Sequence, residues 1–75
     1  MARTLVDLPP GGEAKITNIG GDGAIRQRLL DMGIIRGTNV RCQRFAPLGD
    51  PMEISVLGYL LAIRKNEARF IEIEG

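Results

Sequence analysis

The placing of glycine and proline constrains this chain more than any other feature. Ten glycines and four prolines fall within 75 residues, and Pro9-Pro10-Gly11-Gly12, Gly20-Gly21-Asp22-Gly23, Gly33, Gly49, Pro51 and Gly58 cut it into short pieces. Both residues break regular structure, glycine through backbone entropy and proline through its missing N–H. Helices and strands must therefore fit between the breaks. No linker, repeat or low-complexity tract separates the pieces, so one domain over residues 1–75 is expected. A chain this short buries only about 60% of its unfolded surface, which leaves a small margin of stability.

Periodicity assigns the pieces. Glu13 to Ile19 sets Ala14 and Ile16 against Lys15 and Thr17, the alternation of a half-buried strand. Asp22 suits the N-cap of a helix from about Ala24 to Met32, where Ile25, Leu29 and Met32 share one stripe and Leu30 falls off it. Gly33 stands where a left-handed residue would end that helix. Thr38 to Phe45 turns Val40 and Cys42 inward, with Phe45 out of phase, so a bulge is expected near Arg44 unless the strand packs on both faces. Ala46 to Pro51 reads as a hairpin connection. Met52 to Val56 and Tyr59 to Ile63 follow as strands, then a helical turn over Arg64 to Ala68 and a last strand with Ile71 and Ile73. Thr4 to Leu8 is at most a short edge segment. Five short strands with one early helix predict a mainly β fold, a small SH3-like, partly open barrel, with a five-stranded OB-type barrel as the competing arrangement.

The chemistry on offer is narrow. The chain has no histidine, which removes the commonest general base and the commonest transition-metal ligand together. Cys42, the single cysteine, sits at an inward-phased strand position, where a free thiol acts as a small hydrophobe. Glu72 and Glu74 are better read as a solvated edge than as an acid–base pair, and Gly20 to Gly23 lacks the Lys-Ser/Thr of a phosphate-binding loop. No enzyme, cofactor or metal site is expected. Asp50, between Gly49 and Pro51, could touch a cation, but a turn aspartate more often accepts backbone hydrogen bonds. The apolar runs are too short to span a bilayer and the N-terminus carries no secretion signal, so a cytoplasmic protein without membrane insertion is expected.

Binding remains. Ten Lys and Arg against nine Asp and Glu give a net charge of +1, unlike a dedicated DNA binder, and aromatics for base stacking are scarce, so nucleic acid is not expected as the partner. The charge is uneven: Arg26, Arg28, Arg36, Arg41 and Arg44 share their stretch with Asp31 alone among the acids. Each arginine singly reads as ordinary solvated surface; together they suggest a basic, helix-centred binding face for an acidic partner. Leu30, off the helix stripe, and Ile34, Ile35 and Leu48, in expected loops, would form a contact patch if they cluster at the surface. Arg26, Arg28, Leu30, Arg36 and Leu48 are therefore the candidate partner-binding residues. The strand edges of a small barrel also allow self-association.

The run Arg28-Leu29-Leu30-Asp31-Met32-Gly33-Ile34, then Gly37-Thr38-Asn39-Val40, resembles the FeoA family, ferrous iron transport protein A. So do Ala46-Pro47-Leu48-Gly49-Asp50-Pro51-Met52-Glu53-Ile54, Gly58-Tyr59 and Leu61-Ala62-Ile63-Arg64-Lys65-Asn66-Glu67-Ala68. The likeness runs from Leu5 to Ile73; Met32 and Ile63 stand where the family often has leucine. It implies an SH3-like barrel with an inserted helix, acting beside the bacterial permease FeoB, whose cytosolic part is a G-protein domain, rather than carrying iron itself. A sharper form of that role would place Arg26 or Arg28 at the partner's nucleotide. The same module is similar to the C-terminal domain of iron-dependent repressors, which implies the alternative of an iron-sensing regulatory module.

Overall fold

A computed structural model describes residues 3–74. The strands form in the order β1 (Arg3–Thr4), β2 (Glu13–Ile19), β3 (Asn39–Phe45), β4 (Met52–Val56), β5 (Tyr59–Ile63) and β6 (Ile71–Ile73). A 3₁₀ turn at Leu5–Asp7 follows β1; α1 (Gly23–Asp31) lies between β2 and β3, and the single turn α2 (Lys65–Ala68) between β5 and β6. All strands join one antiparallel sheet in the order β1-β6-β2-β3-β4-β5. The fold is thus the expected mainly β one, with a two-residue sixth strand where only a short edge segment was expected.

The sheet wraps round a single core because it is bent in two places. On β2 the register slips between Ile16 and Asn18, and this re-phases the strand so that Ile16 and Ile19, three residues apart, both point inward and are buried. On β3 it slips between Cys42 and Arg44, which explains why Phe45 is out of phase with Val40 and Cys42. Between the bends alternation is regular: Met52, Ile54 and Val56 are buried, and their neighbours Glu53 and Ser55 are half-buried.

Capping bonds define α1. Asp22 Oδ1 accepts from the Ile25 N–H at 2.9 Å, as an N-cap should. At the other end the Gly33 N–H donates to Leu30 O and the Ile34 N–H to Leu29 O, both at 3.0 Å, the crossed pair of a Schellman motif. That motif brings Ile34 back over Leu29, and both are fully buried. Ile34 is therefore core, not loop surface. Leu30 is also placed differently from its stripe: it is half-buried and packed against the core with Ile25 and Met32, because so short a helix lies low on the sheet and buries a wide face.

The β4–β5 hairpin turns on Leu57-Gly58, with φ of +52° and +90°. Positive φ at both positions is the geometry of a type I′ turn, which usually takes Asn-Gly. Leu57 occupies it while its Cδ1 reaches the C-terminus of α1, 3.1 Å from where a Gly33 Cβ would stand. Gly33 itself has φ +88°, so a side chain there meets both backbone strain and Leu57. Gly33→Ala should cost about 1–2 kcal/mol, seen as a lower urea midpoint with an unchanged slope.

Candidate docking surface

Four of the five sequence-predicted residues lie on α1 (Arg26, Arg28, Leu30) and the β3–β4 loop (Leu48), and α2 joins these two elements. The loop is braced from several sides. The Gly49 N–H donates to Ala46 O at 2.7 Å and the Ala46 N–H to Pro51 O at 2.9 Å, closing it on itself. Asp50 Oδ1 accepts from the Lys65 N–H at 3.0 Å, tying the loop to the start of α2. The Lys65 ammonium also lies 5.5 Å from the centre of the Phe45 ring. Asp50 is thus engaged as a turn and helix-start acceptor. On this fixed support Leu48 is 96% exposed, its side chain projecting into solvent.

Arg28 has a different role from the one its sequence position suggested. Its guanidinium pairs with Glu67 Oε2 on α2, and Glu67 is 4% exposed. The other oxygen, Oε1, accepts from the Arg64 N–H at 3.4 Å, a long bond at the start of α2. A buried carboxylate needs a counter-charge, and Arg28 provides it while fastening α1 to α2. Glu67 carried no sequence signal beyond its place in a helical turn, so this joint was missed. Since Arg28 is itself largely exposed, its removal should cost about 1–2 kcal/mol rather than the larger figure for a fully buried pair. Arg28→Ala should lower thermal stability by that amount, and adding Glu67→Gln should recover part of the loss; simple additivity of the two substitutions would refute the pairing.

The remaining arginines divide by their contacts. Arg26 Nε donates to Ile19 O at 3.3 Å, which holds it across the end of β2. Arg44 pairs with Glu53 at 2.9 Å across the β3 bulge, and this contact holds its guanidinium above its ordinary value. Arg36 is exposed on the turn after α1 and, with Arg41, has no ion pair among the described residues. No hydrogen bond or ion pair joins Arg26 or Arg36 to the Leu48 loop among the described residues. Hence Leu48, Arg26 and Arg36 are available at the surface, Arg28 is committed to Glu67, and Leu30 is mostly taken up by the core.

Exposed apolar side chains also gather where sequence reasoning did not look. Leu57, Tyr59 and Leu60 are 58%, 57% and 60% exposed, on β5 and its turn. Tyr59 alternates with Leu61 and Ile63 along β5, yet it is exposed where Ile63 is fully buried. The missed signal was the uninterrupted, uncharged run Tyr59-Leu60-Leu61-Ala62-Ile63.

No cavity is enclosed and no group of three or more Cys, Asp or Glu side chains converges among the described residues. Cys42 is fully buried on β3, and burial pushes its thiol above the ordinary 9.0. The folded state therefore holds its proton where the unfolded thiol has lost it. Stability from this source is complete below about pH 9.0 and falls as pH rises toward the folded value. Chemical denaturation from pH 7 to 10.5 should show that decline, and Cys42→Ala should lessen it.

The described residues thus form a one-sheet barrel with a braced loop that carries an exposed leucine. The chain belongs to the FeoA family: the FeoA domain model matches residues 3–75. It is 34% identical over 70 residues to the Fe(2+) transport protein A/Fe(2+) transporter FeoB fusion protein of Porphyromonas gingivalis, covering 93% of this chain but 8% of that protein. An FeoA-like protein of Clostridium acetobutylicum superposes with a TM-score of 0.91 at 34% identity, over 97% of this chain and 85% of that one. FeoA of Stenotrophomonas maltophilia, an SH3 domain protein solved with zinc, gives 0.79 at 28% identity, over 97% and 91%. A manganese-dependent transcriptional repressor shares the fold alone, at 15% identity. Among the described residues of this chain, Cys42 is buried and Asp50 and Glu67 are engaged in the contacts above.

Proposed function

We propose that this domain is a non-catalytic, cytosolic accessory of bacterial ferrous iron uptake, which docks on the cytosolic part of an FeoB-type permease and shifts the balance between its states. The observation that carries this reading is Leu48: a nearly fully exposed leucine, on a loop braced at Asp50, Ala46 and Gly49. A preorganised apolar knob loses little entropy on binding, so it is well suited to anchor a contact. Arg26 and Arg36 would supply the polar rim, where charge sets association rate and selectivity. The fused relative supports the pairing, because fusion holds two partners at high effective concentration. Regulation then requires that the domain bind one state of the permease more tightly than another, the GTP and GDP forms being the obvious pair. Iron is the permease's cargo, and no residue of this domain needs to hold it.

Calorimetric titration of the domain into detergent-solubilised permease, with GDP and with a non-hydrolysable GTP analogue, tests the reading. Leu48→Ser should weaken binding by about tenfold or more while leaving the melting temperature unchanged. Full affinity in a folded Leu48→Ser variant would remove the proposed anchor.

A further inference from the structure

A surface lysine ordinarily runs its flexible stem out into water and leaves the ammonium free to move. Lys65 instead folds back over the β3–β4 loop. Its Nζ lies 5.5 Å from the centre of the Phe45 ring and 3.4 Å from where a Cβ on Gly49 would stand. The backbone below is fixed too, since the Lys65 N–H donates to Asp50 Oδ1 at 3.0 Å. That bond turns the nearest carboxylate to the main chain, and no ion pair joins Asp50 to the ammonium among the described residues. Gly49 follows Leu48 directly, so a held cation stands beside the held leucine, and both are exposed.

The charges left over around this pair are of one sign. Glu67 is buried against Arg28, and Arg44 and Glu53 answer each other across the β3 bulge. Arg64, exposed at the start of α2, and Lys65 have no ion pair among the described residues. A cation already held in place loses little freedom on pairing, and beside an apolar anchor that excludes water its attraction for an opposite charge is strengthened.

We propose that Lys65 is a specificity residue of the docking loop: the pocket that receives Leu48 is apolar with an Asp or Glu carboxylate at its edge, and the Lys65 ammonium pairs with that carboxylate. The inference rests on the docking reading above and adds to it the chemistry that the partner must present. One leucine with two cations falls short of what holds a protein on anionic lipid, which favours a protein carboxylate over a membrane surface.

Calorimetric titration into detergent-solubilised permease at about 50 mM and about 500 mM salt tests this, with melting temperatures confirming that each variant is folded. At low salt Lys65→Gln should weaken binding by about threefold to fivefold and Lys65→Glu by about tenfold or more, while Lys65→Arg keeps the affinity. At high salt Lys65→Gln should approach the unaltered domain. Leu48→Ser should lose affinity by the same factor at both salts. Lys15→Gln removes the same charge opposite Asn39, at the far end of β3 from the loop, and should change nothing. If Leu48→Ser weakens binding but Lys65→Gln and Lys65→Glu do not, the carboxylate is refuted and the docking reading survives. Tighter binding by Lys65→Glu, or an equal loss in Lys15→Gln, would refute it as well. Full affinity in Leu48→Ser would remove the docking reading and this inference together. Sedimentation with vesicles of phosphatidylglycerol and phosphatidylcholine, lost in Lys65→Glu, would overturn it by giving the pair to a lipid surface.

Discussion

A single sheet can enclose a core only if it coils, and everything else in this domain depends on the two irregularities that make it coil. Without the slip between Ile16 and Asn18, Ile19 would point to solvent; without the slip between Cys42 and Arg44, Phe45 would leave the loop and α2. Strand pairing supplies the backbone bonds, but the bulges aim the side chains, so that residues of five strands, α1 and the 3₁₀ turn meet in one interior. With only 75 residues there is no second layer to compensate if that coiling fails.

The helices sit on this coil as fasteners. α1 is held at its start by Asp22, at its end by the Schellman bonds, on one flank by Arg28 to Glu67, and beside the β4–β5 turn by Leu57 against Gly33. α2 connects in turn to the β3–β4 loop through Asp50. The result is a connected chain of contacts from the β4–β5 turn through both helices to the loop bearing Leu48. A loop supported in that manner can present an apolar residue in one position, which is what a docking role asks of it.

Much of the fold was legible because its signals are local. Glycine and proline mark the turns, period-two alternation marks the strands, and Asp22 and Gly33 mark the ends of α1. What was not legible depends on meetings between distant residues. Nothing near Arg28 in the chain announces Glu67, so an arginine that reads as free surface is the partner of a buried carboxylate. Ile34 looks like loop surface until the Schellman bonds fold it over Leu29, and Leu30 looks exposed until the helix settles on the sheet. Leu48, by contrast, is in the open as read, since a tight loop of Ala46 to Pro51 leaves it nowhere to go. The exposed β5 escaped notice because an apolar run looks the same whether its strand is central or at an edge; only the strand order decides.

The place of β6 has a consequence for how the molecule comes into being. The last strand lies between β1 and β2, near one end of the sheet but inside it, so the first two strands have no pairing with each other and wait for Ile71, Glu72 and Ile73. During synthesis β2, β3, β4 and β5 can assemble as they emerge, while β1 and the far flank of β2 stay unpaired until Ile71–Ile73 have been made. The domain therefore cannot finish folding from its N-terminus onward as residues appear. Its completion is a single late event, in which insertion of one three-residue strand converts an open half-sheet with two vacant flanks into the closed core.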